Sequence, residues 1–599
     1  MASNQTPLWS SVLFKEAIDL MVAVWPTLPN ADREKLVDRI IAGPPLPDEE
    51  PEDPGEREHR QRWFDRRIFE RLALIERLRS PPLPPAGEEA LASLRRSYPQ
   101  WRIEEGVRAH FSTWIESHVG METDRSPEEL EALKGPALVE ALRAVGQDRE
   151  GRLSIWGQLV RRRPARGIAL LPQLSDEPAP GDEDIWRDTL YGLRDSMGRP
   201  AIARRVVDLL ILAPDAIVSS PRLLSPTSDA LQTASKQQPL PISEDRFLRL
   251  WERLVDACLA GEVEPDPEDH DWVGRAINRP LGRLTEALLN VMFRRGLKAG
   301  EGIPTTFRQH LDQLTAEEPH VLRLARTILA SRLLYLFAVD PVWVRTRILP
   351  HFDWQHSEED AAALWRGYGW GARINTELWI ELAPFFYDAF TPARRERLGR
   401  TSETLASLLM VAGVEFPDST VPTDRSRRAI RAMDARDREK AVSWIRNYLA
   451  RAGTGDEDAP IGAEQPRRAD RMWAERVLPW IRRAWPRDAN LVTPGTSEQF
   501  ALLAITTHDE FPAAVGFLLP YINGSENWGP VVHNILRSEH PTDHPEAVLR
   551  LLGKLVVLDG TLFTNNLRMV LDQVAAADPL LRQDVVYRSL DTALRAVGR

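Results

Sequence analysis

The chain has 599 residues, 43% hydrophobic and 28% charged, with a formal net charge of −11. This is a globular composition, long enough to bury large cores without a disulfide or metal staple, and its single cysteine, Cys258, excludes an intramolecular disulfide and a cysteine-clustered zinc or iron–sulfur site. The acidic balance argues against a general nucleic-acid coat but not against a local basic face; no run reaches the roughly 18 apolar residues of a membrane helix, and the polar start Met1–Trp9 carries no secretion signal, so a cytoplasmic protein with no membrane partner is expected.

Helical periodicity then runs along the chain. It predicts helices at Ser11–Trp25, Asp32–Ala42, Glu56–Arg79, Glu88–Ser97, Val107–His118 and Pro136–Val145. The proline-rich, acidic stretch Gly43–Gly55 reads as a flexible connector and Pro81–Pro85 as a stiff spacer. Helices follow at Arg152–Arg163, Glu183–Met197 and Ala201–Leu212; Ile168–Leu171 fits strand or helix and is read as helix, and Leu224–Pro241 as a polar loop. In Ser243–Gly261, Ser243 caps the start, Phe247, Leu250, Trp251, Leu254, Val255 and Cys258 form one apolar face, and Gly261 is expected to end it in a left-handed turn. Arg283–Gly296 repeats that logic, with Gly296 as the stop, and Val321–Ala338, apolar nearly all round, reads as one central buried helix. Further helices are predicted at Leu378–Phe390, Ala393–Val414, Arg425–Arg451, Arg467–Trp485, Ser497–Ile505, Pro512–Tyr521, Pro545–Leu558 and Leu567–Val597, with acidic hinges at Gly261–Asp271 and Gly453–Pro466.

No series of alternating β-branched strands interrupts these helices. Many helices joined by short loops predict an all-α chain, an extended α-solenoid of divergent HEAT-like helical pairs without a fixed period. Four regions are expected, 1–43, 56–225, 242–452 and 465–599. Tryptophan, with 19 residues, outnumbers phenylalanine at 17 and tyrosine at 8. Trp25, Trp63, Trp114, Trp156, Trp186, Trp251, Trp343, Trp379, Trp444 and Trp480 are dispersed, as expected of one large anchor wedged into each helix pair.

The chemistry-bearing motifs are missing. There is no G-x-x-x-x-G-K-[ST], no G-x-G-x-x-G after a strand, no G-x-S-x-G and no H-E-x-x-H. Cys258 sits on an apolar helix face, so it reads as core rather than nucleophile. His533, His540 and His544 lie near Asp543, but His540-Pro541 and His544-Pro545 look like turn dipeptides, with Pro545 suited to start a helix. His351, Asp353, Trp354 and His356 read as a solvated loop. No catalytic residue, metal ligand or cofactor is assigned.

The basic stretches carry more. Of 77 basic residues, 70 are arginine, and Thr391–Asn490 has a net charge of about +5 inside the acidic chain. Arg394, Arg395, Arg397, Arg425, Arg427, Arg428, Arg431, Arg436 and Arg438 are the candidate binding residues there, and Arg161, Arg162, Arg163 and Arg166 form a smaller cluster. Such a run makes either a face for nucleic acid or an acidic partner, or a salt-bridged helix face with the interleaved Asp434, Asp437 and Glu439.

Five segments bear a resemblance together: RQRWFDRRIFERL (Arg60–Leu72), REGRLSIWGQL (Arg149–Leu159), Asp271–Leu289, Ala325–Trp354 and ALWRGYGW (Ala363–Trp370). In their Trp, Pro and Arg positions they resemble the long helical regions that follow the catalytic module of large bacterial antiphage-defence proteins with a sirtuin-like NADase head. The resemblance implies a scaffold that senses a phage component or holds a multi-subunit assembly through a protein partner. This chain has no sirtuin-like G-A-G-x-S segment and no P-loop, so no catalytic residue carries over and the effector is expected on another polypeptide.

Overall fold

The computed structural model describes residues 24–44, 54–77, 81–99, 101, 126–146, 148–176, 178–261, 271–454, 464–557 and 564–597. Among them the chain is all-α; extended backbone pairing is limited to an isolated bridge between Ser525 and Val556. No helix among the described residues is long and apolar enough to cross a membrane. The predicted helix Val107–His118, residues 11–23 of the first predicted helix, Trp114 and most of the three acidic linkers lie outside the described residues.

The chain divides into two compact units, Met1–Met121 and Glu122–Arg599. In the first, helices α1 (Asn30–Ile41), α2 (Pro54–Arg77) and α3 (Pro85–Ser97) pack together. Trp25, Val37, Ile40, Phe69, Leu72 and Leu91 form their core, and the Trp25 indole donates to the Pro81 carbonyl at 3.0 Å.

The second unit is a helical-repeat fold built on a run of helices that each pack on the next: α4 (Arg149–Arg162), α5 (Asp182–Leu193), α6 (Pro221–Ser235), α7 (Pro280–Phe293), α8 (Arg323–Ala330), α9 (Glu358–Trp370), α10 (Thr401–Glu415), α11 (Ala435–Thr454) and α12 (Pro494–Ile505). The helices between them, such as Pro200–Leu212 and Glu244–Gly261, pack alongside, and one continuous core runs from Leu130 to Leu594. Prolines start many of the helices. Pro200, Pro221, Pro280, Pro341, Pro392, Pro494 and Pro545 each open one, where no intrahelical N–H is needed. Side-chain caps do the same work at Asp271, Asp340, Ser357 and Asn375.

Indoles tie neighbouring helix pairs at a recurring offset. Trp156 donates to the Thr189 hydroxyl, Trp251 to the Leu284 carbonyl, Trp343 to the Asp312 carboxylate and Trp379 to the Thr420 carbonyl, each at 2.8 Å and 31 to 41 residues along the chain. These four rings are fully buried, as are Trp25, Trp186 and Trp480, so the anchoring expectation holds for them, and Cys258 is core. Trp63 and Trp444 depart from it: Trp63 is exposed and Trp444 only half-buried.

Ile168–Leu171 is helical, within Pro164–Asp176; the helix predicted to stop at Gly296 ends at Phe293 with Arg294 as its C-cap, and Gly296 follows two residues later with φ +61°. Several predicted elements are corrected. Leu224–Pro241 is not a loop at its start, because α6 extends to Ser235. Its hydroxyls bond back to the helix, Thr227 to the Leu223 carbonyl at 2.6 Å and Ser235 to the Gln232 carbonyl at 2.6 Å, so polar residues are buried without orphaned groups. Gly261 is the last helical residue rather than a left-handed stop.

Four long predicted helices are each broken. Val321–Ala338 breaks at Ser331, whose hydroxyl bonds to the Ile328 carbonyl at 2.6 Å, and Ala393–Val414 breaks at Gly399, with φ +54°. Arg425–Arg451 breaks before α11, where Asp434 accepts from the Asp437 amide at 2.8 Å and Asp437 from the Asp434 amide at 3.4 Å. Leu567–Val597 breaks at Asp578-Pro579. Periodicity alone hid these breaks, because apolar positions continue across them.

Candidate ligand-binding cleft

Most of the arginines singled out in the sequence tie neighbouring helices. Arg394 pairs with Glu358 at 2.9 Å and Arg397 with Glu359 at 3.0 Å, both carboxylates in the first turn of α9. Arg395 reaches Asp434 at 3.1 Å and Asp437 at 3.6 Å. Arg438 is buried and donates to the Met433 carbonyl. Arg427 donates to the Arg483 carbonyl at 2.9 Å, and Arg431 pairs with Asp488 at 2.6 Å. Arg425, Arg428 and Arg436 are exposed, with Arg428 donating at 3.4 Å to the Asp424 carbonyl. Of the smaller cluster, Arg161 pairs with Asp195, Arg163 with Glu131, and Arg166 donates to the Leu133 carbonyl at 2.6 Å.

A second polar group lies inside the repeat. Arg323 and Arg326, on α8, converge on one oxygen of Asp360, in the first turn of α9, at 2.5 and 2.8 Å. All three are buried. Burial by itself raises the Asp360 carboxyl, but the charges and hydrogen bonds of Arg326 and Arg323 outweigh it and hold the group below its ordinary pKa. His351 is also buried, which corrects the solvated-loop expectation for that residue and for Trp354. The short helix Leu349–Phe352 turns its ring inward, with Nε2 3.2 Å from the Thr315 carbonyl and Nδ1 4.0 Å from Asp360. Burial, and then Arg326, push the His351 pKa down, so its neutral form is favoured. Asp353 and His356 are the more open members of that segment.

Near the C-terminus, His540 stacks on Phe511 with ring centroids 4.0 Å apart and bonds to the Ile505 carbonyl at 3.1 Å. Among the described residues no cluster of three or more His, Cys, Asp or Glu side chains is arranged to hold a metal ion.

Side chains converge on open space elsewhere, between α10, α11 and the helix Glu464–Met472. There a cleft of about 770 Å³ opens. Trp444, Tyr448 and Arg451 share one face of α11 at helical spacing and line one wall. The Trp444 and Tyr448 rings are stacked, 5.2 Å apart and 22° from parallel. Arg468, Arg471 and Met472 come from the facing helix. That helix continues through a π-turn, Trp473–Val477, which buries Trp473 and Val477 and leaves Glu475 and Arg476 on the cleft. A π-turn inserts an extra residue and so re-aims the side chains that follow it.

Arg476 pairs with Glu415, the last residue of α10, at 2.5 Å. Burial, and then Glu415, push the Tyr448 hydroxyl up to about 12, so it stays protonated at neutral pH. Arg468 and Arg471 are exposed and form no ion pair among the described residues. Among the described residues that line the cleft, the guanidinium groups of Arg451, Arg468, Arg471 and Arg476 outnumber the carboxylates of Glu415 and Glu475, beside the stacked Trp444–Tyr448 pair. Such a surface suits a planar group carrying negative charge.

Sequence reading marked the basic region but not these residues. It treated Trp444 as another core anchor and did not single out Arg451, Arg468, Arg471 or Arg476. The available signal was the i, i+4 pair Trp444 and Tyr448, followed after a short linker by a second helix rich in arginine.

No family model matches the chain. It is 26% identical over 613 aligned residues to an uncharacterized protein, y4cA, of Sinorhizobium fredii (strain NBRC 101917 / NGR234). That match covers 97% of this chain and 47% of the relative, so the chain spans about half the relative's length. Among solved structures, an engineered protein from a structural-genomics consortium aligns over 77% of this chain and 98% of its own, at 12% identity and a TM-score of 0.22.

Proposed function

We propose that the chain is a helical scaffold or recognition subunit, not itself the enzyme, of a bacterial antiphage-defence complex, working in the cytoplasm through a protein partner. The observation that carries this reading is the use made of its polar side chains. Arg394, Arg397, Arg323, Arg326 and the buried indoles join neighbouring helices at several places, which fits a chain that works as a rigid surface. The Trp, Pro and Arg pattern shared with helical regions of defence proteins supports the setting. An epitope-tagged chain should recover an effector or a phage protein from its host before or after infection, and a chain recovered alone under both conditions would count against the reading.

A second reading, nucleic-acid binding through the basic region Thr391–Asn490, is favoured by the cleft. Arg468 and Arg471 there are exposed and form no ion pair among the described residues, whereas six of the nine arginines singled out in the sequence are tied to neighbouring helices. Retention on heparin or labelled oligonucleotides that falls steeply with salt is the expected result.

A further inference from the structure

We propose that the cleft binds single-stranded nucleic acid, taking an unstacked base against the Trp444–Tyr448 pair and its phosphates against Arg468 and Arg471. This rests on the nucleic-acid reading and goes beyond it in naming strand state and site.

The rings supply the first part. Trp444 and Tyr448 lie nearly parallel and line the cleft, with Trp444 half-buried rather than wedged into the core. An aromatic ring that lines a cleft attracts any base whose π-face is free, and a base inside a duplex has none free. The guanidinium groups supply the second part. Arg468 and Arg471 stand on the facing helix, are exposed, and are one helical turn apart. That arrangement presents two planar donors to successive phosphate oxygens. Arg476 is held by Glu415 and so neutralises one of the two carboxylates on the cleft, Glu475 being the other. Stacking and phosphate contact from opposite walls is the combination by which single strands are held without reading their sequence.

The test is fluorescence anisotropy with the full chain, using a labelled oligothymidylate of about 12 nucleotides, the matching duplex, and ATP as competitor. The single strand should bind more tightly than the duplex and resist displacement by ATP. Trp444→Ala should weaken strand binding by about 5- to 100-fold, whereas Trp444→Phe should retain most of it. Arg468→Glu with Arg471→Glu should weaken binding and reduce its salt dependence by about two counterions. Because both arginines are exposed, that variant remains readable if Trp444→Ala fails to fold. Equal duplex and strand binding that survives these substitutions would overturn the cleft assignment and leave the nucleic-acid reading standing. Binding of ATP without the strand would overturn the strand assignment, and no binding of any probe at low salt would overturn both.

Discussion

The arginines of α8 and those facing α11 have opposite fates. Arg323 and Arg326 are buried against Asp360. Arg468 and Arg471 carry the same group on a much more polar helix and face an open cleft. The difference lies in what stands one helix pair away. Asp360 lies 37 and 34 residues beyond its two partners and so falls on the adjoining helix. Around Arg468 and Arg471 the adjoining helix α11 offers Trp444 and Tyr448 instead of a carboxylate. Arginine content therefore says little about binding until the side chains of the adjoining helix are known.

The contrast breaks most sharply at Asp360. Asp360→Ala leaves two guanidinium groups buried without a counter-charge, and should destabilise the second unit by about 3–5 kcal/mol in urea denaturation. An effect as small as that of a surface pair would mean the interior network is wet. Next comes Gly413, on α10, where an added Cβ would run into the ring of the buried Trp480. Gly413→Ala should lower stability by about 1–3 kcal/mol, seen as a drop in melting temperature. Because α10 also supplies Glu415, weaker oligonucleotide binding by this variant would couple the packing to the cleft.

The pH dependence is smaller and has a definite sign. His351 faces Arg326, Asp360 and His356, and its pKa is lowered in the folded chain, first by burial. The unfolded chain therefore takes up the proton more readily. Stability from this group is complete above about pH 6.5 and is lost as pH falls toward the depressed folded value, by at most about 1.4 kcal/mol per pH unit. His310 and His540, also lowered by burial, act in the same direction. Denaturation midpoints should fall between about pH 7.5 and about pH 5.5, and His351→Gln should reduce that fall. The smallest effect belongs to Arg431 and Asp488, both substantially exposed. Arg431→Ala should change stability by about 0–1 kcal/mol.

The all-α class was readable because apolar residues recur at helical spacing and prolines fall at helix starts. The breaks were harder to read. At Asp434 and Asp437 the reciprocal cap is a D-x-x-D pattern within a run of charges, and at Ser331 the chain stays apolar on both sides. His351 was misplaced because a histidine after a proline resembles a loop residue, while its burial depends on Thr315 and Asp360 from other helices. The cleft was hidden for a related reason. Trp444 and Trp379 look alike in sequence, and only the helix packed across from each decides whether the indole enters the core or lines open space.

The indole ties spanning 31 to 41 residues have a mechanical consequence. Each pair of helices is fastened chiefly to its immediate neighbours, so the chain can zip up from any point without a long search for distant contacts. The same locality confines the effect of a substitution at one joint to the helices on either side of it.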